Sequence, residues 1–384
     1  VWVNAEHLLD GAAGQSSVKV RFVFSADFSV QEDGFGLDDI SIHPQAQLDL
    51  VVLSFEGPND GCNLEEEMVS FTFWNKGLSD VANFEVGFTV DAGTAQTETY
   101  TGTVNSGDTV TYTFATEMAD LSAAGTYSIN VYTALTGDED VTSDTLYANE
   151  VVNHGASTPL SQTEMPTGAV ISSTFVEGTF SEMFFCGLPT ALDGCLEIVN
   201  VTLDSISHTF LADLDIYLTS PAGDTVELCT DNGGAADNLS NVVFTDTSSN
   251  DITLQTTDIL PGSYGPEDPE GFAGLYNGQD PNGAWTLWID DDLGGDDGEL
   301  ISWSMTFQDN SPTPMLAYSD TTICLTHVLA LSSDEYDSYL WSTGHNTQTA
   351  ELFGNVLGLG THEIAVTVDQ NGCTDVESTT ITQP

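Results

Sequence analysis

Residues 283–307 read GAWTLWIDDDLGGDDGELISWSMTF, and this stretch decides the fold class. Large apolar side chains occupy alternate positions on both sides of an acidic turn, namely Trp285, Leu287, Ile289, Ile301, Trp303, Met305 and Phe307. An apolar residue at every second position is typical of a β-strand that buries one face and exposes the other. The stretch therefore predicts two strands joined by a turn rich in carboxylates.

The same alternation recurs along the rest of the chain, within residues 18–24, 69–73, 84–90, 110–114, 127–131 and 364–368. No segment keeps the apolar spacing of three and four residues that marks an amphipathic helix. Many Thr, Val, Phe and Tyr residues between turns of Gly, Asn and Asp are typical of sandwiches of two packed sheets. We therefore predict an all-β protein built from serial β-sandwich domains; the resemblances given below imply that these are of the jelly-roll and Ig-like kinds.

The chain carries 60 acidic and 3 basic residues among 384, which gives a net charge of −57. The basic residues are Lys19, Arg21 and Lys76, so no Lys or Arg follows residue 76. A surface of this sign repels nucleic acids and anionic membranes, and we expect neither as a partner. Cations must offset the self-repulsion, either as a diffuse atmosphere or at specific sites. The composition indicates a habitat rich in salt or calcium, and drift towards an acidic surface with no specific ion is the alternative.

Linker-like segments at 43–46, 153–159 and 310–314 divide the chain into four pieces. We predict a short piece at 1–45 and three domains at 46–157, 158–310 and 311–384, whose kinds are implied by the resemblances below: the C-terminal part of a jelly roll, an Ig-like domain, a jelly-roll sandwich and a second Ig-like domain. The first piece is too short for a sandwich of its own, so we expect it to begin inside a domain of a longer chain. No apolar run reaches the roughly 18 residues of a membrane-spanning helix. Without a basic leader at Val1, we expect a signal peptide to be absent or already removed.

The six cysteines show no CxxC or Cys/His spacing, so a zinc site is not expected. In a secreted chain such residues form disulfides. Spacing along the chain favours a short loop closed by Cys186–Cys195 and a bridge between the two ends of the last domain by Cys324–Cys373. Cys62 and Cys229 are left without an evident mate.

Residues 158–310 resemble the P domain (P/Homo B) that follows the catalytic domain of subtilisin-like proprotein convertases. The resemblance is carried, in order, by His208-Thr209, Asp213-Leu214, Ser220-Pro221-x-Gly223, Gly283-x-Trp285, Asp290, Gly298-x-Leu300 and Trp303. It implies a jelly-roll β-sandwich, often with calcium, and no catalytic residues of its own.

The other pieces resemble domains of bacterial surface proteins. Residues 18–42 are similar to the last strands of MAM-like or carbohydrate-module jelly rolls, through the pattern Gly34 to Ile40. Residues 46–152 resemble CARDB-type Ig-like domains, through Cys62-x-Leu64 and Asn75-x-Gly77. Residues 315–384 resemble Ig-like or PKD-like repeats of secreted Bacteroidota proteins, through 339–344 and 371–373. The combination is similar to giant proteins that are exported by type IX secretion.

Catalytic motifs are absent from the sequence. There is no Gly-x-Ser-x-Gly elbow, no His-Glu-x-x-His helix and, after residue 77, no Lys for a Walker loop. The seven histidines are scattered singly, and we interpret His208 as a packed structural residue rather than a catalytic one. We therefore predict that the segment is not an enzyme.

Carboxylate clusters are the remaining candidates for a site. Five aspartates crowd the turn after Ile289, and calcium prefers six to eight such oxygen ligands at roughly 2.3–2.6 Å. We predict calcium as the cofactor, with ligands drawn from Asp290, Asp291, Asp292, Asp296, Asp297, Asp213, Asp215, Asp231 and Asp237. A second ion at Asp38, with Asp33 and Asp39, is predicted in the first jelly roll. A solvated acidic loop without an ion is the alternative.

Three functions are compatible with this sequence. The first is a non-catalytic segment of a very large secreted cell-surface protein, an adhesin or filament component whose partners are neighbouring domains, copies of the same chain or a cell-surface target. The second is the accessory region of a secreted subtilisin-like protease. The third is a glycan-binding module, in which exposed aromatic residues such as Trp288 or Tyr276 stack on sugars, although they are also interpretable as sandwich rim or core.

Overall fold

The structure, a computed structural model, describes residues 44–384 apart from 176, together with 9, 12, 15–23 and 42. Within this part nearly all regular structure is β-strand, so the predicted all-β class with serial sandwiches is confirmed. Three separate hydrophobic cores lie within residues 50–151, 171–307 and 323–381. The domain boundaries drawn from the sequence stay predictions. Among the described residues, no helix is both long enough and apolar enough to cross a membrane.

The first core lies between two antiparallel sheets. Its strands are β1 (Leu50–Gly57), β2 (Glu66–Glu67), β3 (Ser70–Asn75), β4 (Val81–Val90), β5 (Gln96–Val104), β6 (Thr109–Thr113), β7 (Ala119–Asp120), β8 (Gly125–Ala134) and β9 (Thr145–Asn153). One sheet has the order β1-β3-β6 and the other β5-β4-β8-β9, with β2 and β7 as a separate short pair. The period-two pattern of β3 places Phe71 and Phe73 fully inside the core, as the sequence predicts.

The Asn75-x-Gly77 pattern closes one end of this sandwich. The side-chain amide of Asn75 donates hydrogen bonds to the carbonyls of Ser79 and Val104, both at 2.9 Å, and its Oδ1 accepts one from the Gly77 N–H at 3.1 Å. A Cβ on Gly77 would lie 2.8 Å from the backbone nitrogen of Asp49, closer than side-chain atoms tolerate. The two residues therefore fit because one satisfies buried backbone groups and the other allows two chain segments to meet.

The second core is the largest and contains Trp285 and Trp303. Its strands are β10 (Ser161–Glu164), β11 (Val170–Ser172), β12 (Thr179–Phe185), β13 (Leu196–Ser207), β14 (Leu214–Thr219), β15 (Thr225–Thr230), β16 (Leu239–Phe244), β17 (Gly262–Tyr264), β18 (Gly283–Asp291) and β19 (Asp297–Asp309). Two 3₁₀ turns (Leu211–Asp213 and Ile252–Leu254) and helix α1 (Gly271–Leu275) connect them. One sheet has the order β10-β19-β13-β16-β17 with β11 also on β19, and the other β12-β18-β14-β15. Because β18 and β19 belong to different sheets, the acidic turn crosses the edge of the sandwich.

The third core is the smallest and is centred on Trp341. Its strands are β20 (Thr321–Thr322), β21 (Val328–Ser332), β22 (Ser338–Trp341), β23 (Thr349–Phe353), β24 (Gly360–Gln370) and β25 (Cys373–Gln383), with helix α2 (Gly354–Leu357) after β23. The sheets have the orders β20-β25-β24-β22 and β21-β23.

Two disulfides join successive domains, and the pairings expected from spacing are both wrong. Cys62 of the first domain bonds to Cys186 of the second, and Cys195 of the second bonds to Cys373 of the third. Cys229 is a buried free thiol and Cys324 an exposed one.

The two ends of the segment 186–195 lie at different domain junctions, which explains these pairings. Cys186 directly follows β12 and lies beside the point where the chain enters the second domain, because its carbonyl accepts a hydrogen bond from the Thr158 N–H at 2.9 Å. Cys195 lies where the chain leaves it, because its carbonyl accepts from the Asn310 N–H at 2.6 Å. Each cysteine therefore contacts a neighbouring domain, and closeness along the chain does not bring the two together.

The strand predicted at residues 18–24 is not formed in the described residues 18–23. Val18, Val20 and Phe22 are each about half exposed there. A strand needs a neighbour for its backbone hydrogen bonds, and no described segment pairs with this one.

Candidate functional site

The predicted calcium ligands gather where the acidic turn meets the start of β14. Strand pairing sets Asp215 of β14 opposite Asp290 of β18, and Leu214 opposite Asp291. The carbonyl of Asp213, just before β14, accepts a hydrogen bond from the Asp292 N–H at 3.1 Å. Residues distant in sequence therefore meet at one edge of the sandwich.

An inner group of carboxylates forms around Asp213. Asp213 and Asp291 are only 6% and 2% exposed. Burial raises the pKa of Asp213, and the negative charges of Asp291, Asp292 and Asp296 raise it further. Thr209 Oγ1 donates to Oδ1 of Asp296 at 2.5 Å and so holds the far side of the turn. A cation would relieve this crowding.

An outer group forms around Asp215 on the solvent face of the same sheet. Burial raises the pKa of Asp215 to about 6, with the charges of Asp231, Asp292, Asp290 and Glu227 as further causes. The charge of Asp292 therefore raises the pKa of both Asp213 and Asp215, so this carboxylate lies between the two groups.

The structure does not gather every predicted ligand. Asp237 and Asp297 are exposed and are not among the charges that shift Asp213 or Asp215. Asp38, with Asp33 and Asp39, lies outside the described residues. The donors present are carboxylate oxygens, the type that calcium prefers. However, no three His, Cys, Asp or Glu side chains in the described ranges are arranged to hold a metal ion, so the calcium site stays a prediction.

His208 is a packed residue beneath the acidic turn. Its side chain is fully buried, its Nδ1 lies 3.0 Å from the carbonyl oxygen of Phe210, and its Nε2 lies 3.5 Å from Oδ2 of Asp291. A Cβ on Gly298 would lie 2.7 Å from the imidazole ring. This arrangement agrees with a structural role, since the ring supports the acidic turn from inside.

The two aromatic residues considered for sugar stacking lie in opposite environments. Tyr276 is fully buried, and its hydroxyl donates to the carbonyl of Leu218 at 2.6 Å, so it cannot stack on a ligand. Trp288 is half-buried on the outer face of the β12-β18-β14-β15 sheet, beside Phe180 and Tyr217.

Sequence reasoning missed a second acidic cluster in the first domain. Asp144 is 7% exposed and its Oδ1 has no hydrogen-bond partner. Burial raises its pKa to about 7, with the charges of Asp138, Asp49 and Asp140 as further causes. In the sequence, Asp49, Asp138, Asp140 and Asp144 do not stand out, because the chain contains many other acidic residues. The burial of Asp144 follows only from tertiary pairing. Strand β8 pairs with β9, and β1 contacts the segment just before Asp144.

The raised pKa of Asp144 predicts that the first domain loses stability as pH rises from about 4 to 7. The folded state binds the Asp144 proton more tightly than the unfolded state, so the stabilisation is complete below the unfolded pKa and is lost as pH rises through the folded one. After allowance for salt screening, we expect the free energy of unfolding to fall by roughly 2 kcal/mol over this pH range. Asp144→Asn should flatten this dependence in calorimetric melts of the full chain with chelator present. The exposed Glu150→Gln variant is the control, and an unchanged slope in Asp144→Asn would contradict the assignment.

Comparisons with known proteins give one family match and several partial structural likenesses. The proprotein convertase P-domain family matches residues 196–307. A domain of a putative cell surface protein from Methanosarcina acetivorans is 23% identical over 28% of this chain and 91% of its own, with a TM-score of 0.23. A CARDB domain from Pyrococcus furiosus, solved in complex with di-metal ions, is 17% identical over 31% and 99%, with a TM-score of 0.24.

A longer structural likeness is to a tetra-tandem repeat in the extending region of a large adhesion protein. It is 15% identical over 87% of this chain and 74% of its own, with a TM-score of 0.18. The search of curated proteins finds no match. At such low TM-scores the structural likenesses carry no functional inference. The family match therefore identifies residues 196–307, which span β13 to most of β19 of the second sandwich, as a proprotein convertase P domain within a chain of β-sandwich domains.

Proposed function

We propose that this chain is a non-catalytic, load-bearing and adhesive segment of a very large secreted cell-surface protein. The observation that carries the proposal is the covalent connection of three successive sandwiches by two interdomain disulfides. P domains and Ig-like domains are accessory, non-catalytic domains, and disulfides are typical of an oxidising, extracellular compartment. Export by type IX secretion is part of the proposal and rests on the sequence resemblance alone.

The disulfides create a short covalent route through the molecule. A pull on the two ends passes from Cys62 to Cys186, along residues 186–195, and from Cys195 to Cys373. The bridged residues are separated by 124 and 178 positions, so most of the 384-residue chain lies inside closed loops that tension bypasses. A chain built in this way keeps its length under load, which suits a stalk or filament.

The first junction is also packed. The rings of His154, at the end of the first domain, and Phe184 of β12 stack at 4.0 Å between centroids with 13° between planes. A Cβ on Gly187 would lie 2.4 Å from the carbonyl oxygen of Ala156, so only glycine allows this close approach. Close contacts of this kind oppose bending between the domains.

Calcium is proposed as the ion that neutralises the acidic edge of the P domain. Its support is the crowding around Asp213 and Asp215 together with the oxygen-only donor set. Because no ligand group is preformed among the described residues, binding would have to draw the side chains together.

Calcium is therefore expected to raise the melting temperature of the full chain, and EDTA to lower it, at fixed ionic strength. At a hundredfold excess over Kd the gain would be about 2.7 kcal/mol. Asp292→Asn, which removes the carboxylate shared by both groups, should abolish most of the gain, while Asp237→Asn should keep it. An unchanged melt with EDTA would exclude specific calcium binding.

Assembly of several copies also requires cations, because each chain carries a charge of −57. Electron microscopy of the native, cell-derived protein with and without chelator tests the filament form of the proposal. Ordered filaments that loosen on chelation are the expected result. A protein that stays monomeric at high calcium and salt would leave only the adhesin form.

A second candidate is the accessory region of a secreted subtilisin-like protease, and the family match of residues 196–307 favours it. The piece before this P domain is an Ig-like sandwich rather than a catalytic domain. A catalytic Asp/His/Ser domain in the same polypeptide, with protease activity that depends on residues 158–310, would establish this function instead.

A further inference from the structure

The outer face of the β12-β18-β14-β15 sheet presents three aromatic rings in one row. Strand pairing sets Trp288 of β18 directly between Phe180 of β12 and Tyr217 of β14. The ring centroids of Phe180 and Trp288 are 6.3 Å apart with 30° between planes, and those of Tyr217 and Trp288 are 5.0 Å apart with 32°. Neighbouring rings at such low angles form a shallow platform rather than a cage.

The platform is held in place before any ligand arrives. The Trp288 indole Nε1–H donates to the carbonyl of Glu177 at 2.7 Å. Gly178, at a φ of +72°, leaves room for that indole, because a Cβ there would lie 2.5 Å from Nε1. Phe180 is 53% exposed. Trp288 is thus fixed at the centre of the row, and Phe180 beside it is exposed; apolar rings in this arrangement on a strongly charged surface indicate a contact site.

Polar side chains flank the aromatic row on both sides. The next row towards one strand end is Glu182, Thr286, Thr219 and Thr225, set opposite one another across the four strands. The next row in the other direction contains Asp290, Asp215 and Thr230. Carboxylate and hydroxyl oxygens therefore lie within a side chain's length of every ring.

The platform opens into a groove of suitable size for a chain-like ligand. The aromatic row and the threonines line a cavity of about 530 Å³. A second cavity of about 740 Å³ shares Glu182 and Thr286 with it and continues between the P domain and the first domain, where Phe55 and Asp60 line it. Ligand sites of drug-sized molecules span roughly 300–1,000 Å³, so the two together suit an elongated occupant.

We propose that this groove binds a neutral oligosaccharide. The flat rings suit the C–H faces of sugar rings, and the flanking carboxylates and threonines accept hydrogen bonds from sugar hydroxyls. No Lys or Arg follows residue 76, so the groove has no basic side chain of the second domain to pair with an acidic glycan, and a second copy charged at −57 is repelled unless cations intervene, whereas a neutral sugar meets no such barrier. The proposal names the ligand class of the adhesive function above and rests on it.

The test is isothermal titration calorimetry of the full, oxidised chain at high salt. Cellohexaose, laminarihexaose and mannohexaose are the neutral probes, chitosan hexamer the cationic probe and a galacturonic acid hexamer the anionic one. We expect at least one neutral probe to bind. Phe180→Ala and Trp288→Ala should each weaken its binding by roughly tenfold or more, and Tyr147→Ala, an exposed aromatic outside the face, should leave it unchanged.

Two results would overturn the proposal. One is that no neutral probe binds. This includes the case in which only the chitosan hexamer binds, which would make the face a cation site. The other is neutral binding that survives both Phe180→Ala and Trp288→Ala in folded protein. Neither result would contradict the load-bearing function. That function is tested separately, by comparing the extension of the oxidised and reduced chains under force.

Discussion

Pulled from its two ends, the oxidised chain is expected to extend about 1,000 Å less than the reduced chain. The disulfides enclose loops with separations of 124 and 178 residues, and an extended residue spans at most about 3.3–3.6 Å. Reduction releases both loops, because tension then runs through the unfolding domains instead of across the bridges. Single-molecule force spectroscopy with and without reductant measures the difference directly.

Single cysteine variants distinguish the contributions of the two disulfides to this difference in extension. Cys62→Ser should release about 400 Å of the hidden length and Cys195→Ser about 600 Å, in proportion to the loops that each bridge closes. The matched control is the double variant Cys229→Ser/Cys324→Ser, which removes both free thiols and keeps both bridges. If oxidised and reduced chains extend equally, the interdomain pairing is wrong and the load-bearing function loses its main support.

The second large effect is expected from Trp285→Ala, which should cost about 3–5 kcal/mol of P-domain stability. Trp285 is fully buried, lies 5.1 Å from the ring of Tyr276 and 5.7 Å from that of Phe307, and donates Nε1–H to the carbonyl of Pro281 at 2.9 Å. Truncation leaves a cavity and an unsatisfied carbonyl in the centre of the sandwich. The P-domain transition in calorimetry should fall by about 10 °C.

Trp288→Ala is the matched control for this variant. It changes the same residue type three positions later on the same strand, but Trp288 points away from the core. We expect it to cost less than about 1 kcal/mol while it weakens oligosaccharide binding. Equal destabilisation by both variants would contradict the assignment of the inner and outer faces of β18.

Local sequence pattern was sufficient to predict the strands that carry the core of the second sandwich. Alternation with period two placed Trp285, Leu287 and Ile289 inside the core, since side chains of a strand point in turn to opposite faces. It also placed an acidic turn after Ile289. The division of that turn into groups around Asp213 and Asp215 was not predictable, because it depends on the register between β14 and β18.

What the sequence by itself determined is therefore the all-β class, the P-domain segment, the absence of basic side chains after residue 76 and the acidic turn. The class, the missing basic residues and the acidic turn are properties of composition and of short repeating patterns, whereas the P-domain segment follows from the resemblance of its ordered motifs to that family. The tertiary structure alone decided that Cys62 pairs with Cys186 and Cys195 with Cys373, that Asp144 is buried, and that Phe180, Trp288 and Tyr217 form one row. Each of these depends on which distant strands and strand ends meet, and packing settles that only once the whole chain has folded.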